Sequence, residues 1–139
     1  AHARYVDRSW WALARVDDLM HAGAAMPLAR EGDVMGDALI EMSAKGFGCV
    51  GVTGPDGRLT GIVTDGDLRR HMDSDLPGRR VDAVMTRDPA TIACGALASD
   101  ALRRMTAGDR KITQLFVVEP GGAPAGLLHI HDLLRIGVS

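Results

Sequence analysis

The chain repeats one stretch of its own sequence. The residues Gly61-Ile62-Val63-Thr64-Asp65-Gly66-Asp67-Leu68-Arg69-Arg70 return 65 positions later as Gly126-Leu127-Leu128-His129-Ile130-His131-Asp132-Leu133-Leu134-Arg135. A shorter pair, Val16-Asp17-Asp18-Leu19-Met20 and Val81-Asp82-Ala83-Val84-Met85, has the same offset. A period this long that occurs only twice indicates a duplicated supersecondary unit and not a solenoid. Two such units usually bury their apolar faces against each other, so we expect a functional site in the cleft between them.

Composition narrows the class of protein. With 139 residues, 46% of them hydrophobic, the chain suits one compact domain or two small lobes that share a core. A net charge of −2 argues against a broad basic surface for nucleic acid, and no apolar run approaches the ~20 residues of a membrane helix. The start of the chain has no signal-peptide pattern, and Cys49 and Cys94 stand at non-equivalent points of the repeats. We therefore expect free thiols and a cytoplasmic protein.

Each repeat predicts the order β-α-β-β-α, which places the chain in the α+β class. In the first repeat Asp33 is positioned to cap a helix that stops at Gly46. The other elements predicted there are strands at residues 49–53 and 58–64, a turn at 54–57 and a helix at 65–72. The second repeat predicts helices at 97–107 and from 131, and strands at 114–119 and 125–129. Short extra strands around Leu28 and Ile92 lead into the two units.

The repeats divide the chain into four parts. Residues 1–15 lie outside the repeat and are predicted to be an N-terminal connector. The first unit is predicted at residues 16–73 and the second at 81–139, with a polar linker at 74–80 between them. We expect the two units to be related by a pseudo-two-fold axis.

The junction between the last strand and the last helix is the candidate binding site of each repeat. In the first repeat, backbone N–H groups at the helix start can bind a phosphate, and Thr64 adds a hydroxyl donor. Asp67, expected at an exposed helix start, can accept hydrogen bonds from two adjacent hydroxyls of a ribose. Phosphate and ribose together indicate a nucleotide, although an aspartate here is also typical of a simple helix cap. Recurrence as Asp132 in the same register favours binding.

The second repeat has histidines where the first has a hydroxyl and a glycine. His129 stands at the position of Thr64, and His131 at the position of Gly66. Two histidines at this spacing on a strand can chelate zinc, but a metal enzyme needs further ligands, and the remaining histidines form no second cluster. We therefore predict no metal site and assign His129 and His131 to contacts with a phosphate or a sugar acid.

Four further residues are candidates by position. Lys111 and Thr113 precede the central strand of the second repeat, where Lys111 can meet an anionic ligand. Arg69 follows Asp67 on the last helix, and His21 follows the Leu19-Met20 pair. Lysines, arginines and histidines at such positions are also commonly solvated surface residues. The sequence contains no nucleophile elbow, P-loop, Gly-x-Gly-x-x-Gly or Cys-x-x-Cys motif, so it does not look catalytic.

These motifs resemble a tandem pair of CBS domains, a family that takes its name from cystathionine β-synthase. Gly61-x-x-Thr64-x-x-Asp67 is similar to the nucleotide motif of that family, and Gly126-x-x-His129-x-x-Asp132 is its altered second copy. A narrower resemblance is to the C-terminal half of bacterial arabinose-5-phosphate isomerases. It rests on Asp18-Leu19-Met20-His21, Thr64-Asp65-Gly66-Asp67-Leu68-Arg69-Arg70, Lys111-Ile112-Thr113-Gln114-Leu115 and His129-Ile130-His131-Asp132-Leu133-Leu134-Arg135-Ile136-Gly137.

The narrower resemblance implies a regulatory role. In that family an N-terminal sugar-isomerase domain interconverts ribulose 5-phosphate and arabinose 5-phosphate for synthesis of the lipopolysaccharide sugar Kdo, and that domain is absent from this sequence. The implied effector is a nucleotide or nucleotide-sugar such as CMP-Kdo, the activated end product, with AMP or ATP as the alternative. The implied contacts are hydroxyls on Asp67 and Asp132, phosphate on Thr64, and the added negative charge on His129, His131 or Lys111.

The resemblance also bears on partners and on alternative functions. It implies a disc-shaped homodimer, no required cofactor, no catalytic residue in this fragment, and neither nucleic acid nor membrane as a partner. A purely structural module that only dimerises the isomerase is a second hypothesis. An independent metal enzyme that uses His129 and His131 is a third.

Overall fold

The computed structural model describes residues 13–108 and 112–135. The helices are α1 Val16–Leu19, α2 Met35–Lys45, α3 Asp65–Arg70, α4 Val81–Val84, α5 Ala98–Thr106 and α6 Ile130–Arg135, with 3-10 turns at Gly23–Ala25 and Leu76–Gly78. The strands are β1 Leu28–Arg30, β2 Cys49–Thr53, β3 Leu59–Thr64, β4 Thr86–Arg87, β5 Thr91–Ala93, β6 Gln114–Val118 and β7 Pro124–His129. Within these described residues, no helix has the length and apolar character needed to cross a bilayer.

The strands form two sheets with the same internal plan. The first sheet has the order β1-β2-β3-β4 and the second the order β5-β6-β7. In both, a short strand runs parallel to the central strand, which pairs antiparallel with the next strand in a hairpin. In the first sheet β4 pairs with the outer side of β3. At the equivalent position beside β7, the second sheet has an isolated antiparallel bridge between His21 and Leu127. The predicted β-α-β-β-α order is confirmed in both repeats, and the fold is α+β.

Helix α2 shows how the sequence sets a boundary and a buried face. Met35, Ala38 and Met42 are buried, which is the spacing that places side chains on one face of a helix. The helix ends at Gly46, whose φ of 77° lies in the left-handed region that glycine adopts without steric cost. The predicted stop at Gly46 is therefore confirmed.

The predicted cap at Asp33 is wrong. The residue that precedes the helix is Val34, which makes no side-chain capping bond. The Asp33 carboxylate instead accepts a hydrogen bond of 2.9 Å from the Arg30 N–H, which closes the turn before the helix. The Met35 N–H donates to the Arg79 carbonyl at 2.7 Å. A residue distant in sequence thus satisfies a helix-start donor that a local cap would otherwise satisfy.

The leading helix of each repeat packs in the core of the other repeat. Val81, Val84 and Met85 belong to the apolar cluster formed by β1, α2, β2 and β3. Ala14 and Val16 belong to the cluster formed by the second sheet and α5. The two packing units have therefore exchanged their first helices, and the exchange joins them. The connector was predicted at residues 1–15, and its residues 1–12 lie outside the part of the chain that the structure describes.

A third apolar cluster lies between the two units. It contains Phe116 and Leu127 from the second unit, and Met26 and Cys49 from the first. Phe116 is fully buried, and a Cβ placed on Gly51 would lie 2.6 Å from its Cζ. Since Gly51 and Phe116 occupy equivalent positions of the repeat, one copy supplies the ring and the other supplies the space for it. The two units are thus buried against each other, as predicted, and the contact joins a large side chain of one unit to a glycine of the other.

Candidate ligand-binding clefts

Two clefts lie where the last strand of each unit meets its last helix. The first cleft has a volume of about 490 Å³ and the second about 510 Å³. The first cleft is lined by residues that include Ile62, Thr64, Arg70, Thr86, Ile112 and Thr113. The second cleft is lined by residues that include His21, Phe47, His129, His131, Asp132 and Arg135.

Each cleft is built from both units. Ile112 and Thr113 close the first cleft from the second unit, and Phe47 closes the second cleft from the first unit. The Gln114 side chain, which lies in the first cleft, donates a hydrogen bond of 2.7 Å from Nε2 to the Phe47 carbonyl. A hydrogen bond across the interface thus joins residues of the two clefts, and a ligand in either cleft can contact both repeats.

Asp67 holds the junction of β3 and α3 together. Its Oδ2 accepts hydrogen bonds from the Thr64 N–H at 2.9 Å and from the Thr64 hydroxyl at 3.1 Å. Its Oδ1 accepts from the Thr86 hydroxyl at 2.7 Å and forms an ion pair with Arg70. Asp67 thus caps α3 and also ties it to β4, so its carboxylate contacts four donor groups from three residues of its own chain.

The expected exposure of Asp67 is wrong. The residue is only 2% exposed, because β4 and Arg70 cover it from the side that faces the cleft. Burial alone would raise the pKa of the carboxyl, but the hydrogen bonds from Thr86, Thr64 and Arg70 outweigh it and hold the pKa below its usual value. Asp67 is therefore a charged group beneath the cleft floor.

Asp132 repeats this arrangement with a histidine in place of a threonine. Its Oδ2 accepts from the His129 N–H at 3.1 Å and contacts His21 Nε2 at 3.0 Å, and its Oδ1 pairs with Arg135. Burial opposes ionisation, yet the hydrogen bonds from the His129 N–H and His21 hold the pKa of Asp132 below its usual value. His21 and Thr86 are 65 positions apart, so they are equivalent residues of the repeat.

His129 and His131 stand together at the mouth of the second cleft. Their ring centroids are 4.5 Å apart, and the His131 N–H donates to His129 Nδ1 at 3.1 Å. A nitrogen that accepts a hydrogen bond carries no proton, so neutral His129 has its proton on Nε2. Partial burial lowers the pKa of His129, and His131 lowers it further, while Asp132 opposes both. The free cleft therefore favours the neutral form of His129.

The two clefts differ in the charge they present. The second cleft carries three imidazoles and the Arg135 guanidinium, arranged around the single carboxylate of Asp132. The first cleft carries Arg70 together with the carboxylates of Asp65 and Asp88. An anionic group is therefore better matched by the second cleft, and hydroxyl or amide groups by the first. Among residues 13–108 and 112–135, no group of three or more His, Cys, Asp or Glu side chains is arranged to hold a metal ion.

Most of the predicted site residues fall at these clefts. Thr64 and Thr113 line the first cleft, with Asp67 beneath it, and His21, His129, His131 and Asp132 line the second. Lys111 lies outside the described residues.

The structure does not bring Arg69 to the first cleft. Arg69 is exposed, and the arginine at the cleft is Arg70. Residues three apart face the same side of a helix, so Arg70 and not Arg69 is aligned with Asp67. Thr86 was also missed by sequence reasoning. Thr86 lies 65 positions after His21, so the repeat offset identifies it as the residue equivalent to His21.

The duplicated sheets, the exchanged helices and the paired clefts define the class of protein. The CBS domain family matches residues 16–74 and 81–139, and the chain belongs to this family. A pair of CBS domains is a regulatory module and not a catalytic one.

Among curated proteins, the chain is similar to the arabinose 5-phosphate isomerase KdsD of Pseudomonas aeruginosa. The two are 44% identical over 128 residues, which cover 91% of this chain and 39% of that protein. KdsD of Escherichia coli K12 is 38% identical over the same length. The chain thus spans about two fifths of the length of these relatives. The predicted resemblance to this isomerase family is confirmed.

Two solved structures have the same fold. A CBS domain-containing protein from Bacillus anthracis superimposes with a TM-score of 0.79 at 18% identity, covering 93% of this chain and 96% of that one. CBSX2, solved in complex with AMP, gives a TM-score of 0.73 at 24% identity, covering 87% and 93%. Likeness at these identities concerns the fold alone.

Proposed function

We propose that this chain is the regulatory module of an arabinose-5-phosphate isomerase and that it binds CMP-Kdo between its repeats. The observation that carries the proposal is the pair of equivalent clefts, each with an aspartate at its base and each shared by both units. Similarity to KdsD supports the link to the isomerase. An upstream sugar-isomerase domain would complete the full-length protein, and its cytoplasmic location follows from that assignment.

The charge of the second cleft supports a nucleotide-sugar acid as the ligand. CMP-Kdo offers ribose hydroxyls, a phosphodiester and a carboxylate. His129, His131 and Arg135 provide donors for the two anionic groups. Asp132 can accept a ligand hydroxyl on Oδ1, beside Arg135, while its Oδ2 keeps the contact with the His21 imidazole. In the first cleft, Thr64 and Thr86 offer hydroxyl groups to a ligand, and the buried Asp67 orients both of them from beneath.

Two alternatives rest on separate observations. AMP or ATP is the alternative ligand, supported by the AMP complex of CBSX2. A purely structural module that pairs two isomerase chains is the alternative function, and Ile40, Met72 and Leu134 are apolar side chains exposed on its surface. Sedimentation or light scattering tests the predicted homodimer independently of any ligand.

A thermal-shift series separates these functions. Ligand that binds only the folded chain stabilises it by RT ln(1 + [L]/Kd), which is about 2.7 kcal/mol at one hundred times Kd and raises Tm by roughly 8 °C for a domain of this size. We expect CMP-Kdo to give this shift and Kdo or arabinose 5-phosphate to give none. A larger shift with AMP or ATP identifies an adenine-nucleotide sensor. No shift with any nucleotide leaves the structural module as the function.

The pH dependence of CMP-Kdo binding tests the histidine contacts. A bound anion favours charged imidazole, so it raises a histidine pKa that the free cleft holds low, and binding then takes up a proton. Affinity should rise about three- to tenfold from pH 8 to pH 6. The phosphodiester and carboxylate of CMP-Kdo do not titrate in this range, so the change reports the protein. The double variant His129→Gln, His131→Gln should flatten the profile in calorimetric titrations. An unchanged profile in that variant makes both histidines structural.

A further inference from the structure

The segment that leads into the first repeat is fixed to the second unit. This leading segment is residues 14–21, and it contains α1. Its Val16 N–H donates to the Ala96 carbonyl at 2.9 Å, and the Ala98 N–H donates to the Ala14 carbonyl at 2.8 Å. The Asp17 carboxylate accepts from the Gly95 N–H at 2.6 Å. One end of the leading segment is therefore held on the loop before α5.

The other end of the leading segment lies in the second cleft. The His21 backbone exchanges two hydrogen bonds of 2.9 Å with Leu127, and its imidazole contacts Asp132. Met20 packs directly on Gly126, since a Cβ on that glycine would lie 2.4 Å from the Met20 sulfur. His21 is thus both a wall of the second cleft and the last residue of the segment.

The first cleft has the same construction but a different connection. Thr86 donates to Asp67 and follows α4, whose Val81 N–H donates to the Asp33 carbonyl at 2.8 Å. This second segment, residues 81–86, joins the two repeats to each other. The leading segment instead joins the repeats to whatever precedes them. A ligand that contacts Thr86 acts between the repeats, whereas a ligand that contacts His21 acts on the segment toward the N terminus.

We infer that occupancy of the second cleft, and not of the first, is transmitted through His21 to the leading segment and so to the chain that precedes the module. The inference rests on the proposed function, because it requires a ligand in the second cleft. A ligand anion that contacts His21 adds a link between the leading segment and the second unit. The segment then opens less often, and its backbone amides exchange more slowly with solvent.

Hydrogen exchange measured by mass spectrometry on the 139-residue chain tests this inference. Saturating CMP-Kdo should slow exchange of the amides in residues 15–21 at least threefold. His21→Ala in the free chain should speed exchange of the same amides roughly tenfold, the effect of losing one hydrogen bond to a carboxylate. It should also abolish their response to CMP-Kdo. His21→Gln, which keeps an N–H donor, should restore most of the protection and serves as the variant of conserved fold.

Thr86→Ala is the matched control, because it removes the equivalent contact at the first cleft. It should speed exchange in residues 81–86 and leave residues 15–21 unchanged. The inference is overturned if CMP-Kdo gives a thermal shift without slowing exchange in residues 15–21, or if His21→Ala leaves their exchange unchanged. That result leaves the proposed function intact. Absence of any thermal shift with CMP-Kdo, in contrast, removes the proposed function and the inference together.

Discussion

Replacing Phe116 by alanine is expected to lower the free energy of unfolding by about 3–5 kcal/mol, the range for truncating a buried aromatic side chain. Phe116 is fully buried between the two units and lies against the bare backbone of Gly51. Its loss leaves a cavity that Gly51 cannot fill, because the strand that carries this glycine is fixed by pairing on both sides. Urea unfolding monitored by circular dichroism measures the change.

Leu134→Ala is the control for Phe116→Ala. Leu134 is 47% exposed on α6, so its truncation should cost less than about 1 kcal/mol. A second result is expected for Phe116→Ala, because this residue lies at the interface between the units. If the two units lose their shared cluster yet keep their own cores, the unfolding transition should broaden. Equal effects of the two variants would contradict the central position of Phe116.

Asp67→Ala should destabilise the chain by about 2–4 kcal/mol, because it removes a buried, charged acceptor of several hydrogen bonds. The donors are the Thr64 N–H and the Thr86 hydroxyl, and the Arg70 guanidinium loses its ion pair. Asp65→Ala is the matched control, since Asp65 is an exposed acid in the first turn of the same helix. A small loss in Asp67→Ala, similar to that in Asp65→Ala, would contradict the buried network.

The same network gives the chain a dependence of stability on pH. The pKa values of Asp67 and Asp132 are lower in the folded chain than in the unfolded chain. Their stabilisation is therefore fully present above the ordinary carboxyl pKa of about 4 and is lost as the pH falls through the lowered folded values. Asp67→Ala should flatten the fall in stability below pH 5.

The sequence repeat predicted the β-α-β-β-α elements of each unit, but it did not predict the helices α1 and α4 or the strand β4. Strand β2 has the predicted bounds, and the hairpin register pairs Cys49 with Thr64 just as it pairs Gln114 with His129. These features depend on alternation, turn residues and the offset, all of which are local in sequence. The exchange of α1 and α4 could not be predicted in this way. Both helices have the same apolar pattern, and nothing in that pattern states which repeat they pack against.

The candidate site was only partly predictable for a related reason. The offset located Thr64, Asp67, His129 and Asp132, because each stands at a fixed distance from a strand end. The burial of Asp67 depends on its contact with Thr86. No spacing rule applied to the sequence of the first repeat indicates that these two residues meet. The 65-residue offset shows that Gly51 and Phe116 are equivalent residues of different size. Only the packing in the structure shows that they meet at the interface between the units.

An NMR titration of the ¹⁵N-labelled chain with CMP-Kdo tests most directly whether a regulatory ligand binds between the repeats. We expect saturable shifts of the backbone amides of His21, His129, His131 and Asp132, with smaller changes at Leu134 on the outer face of α6. The same titration of His129→Gln, His131→Gln should give a weaker apparent affinity at pH 6.5. No saturable shift, or shifts that are confined to residues outside both clefts, would contradict a regulatory ligand site between the repeats.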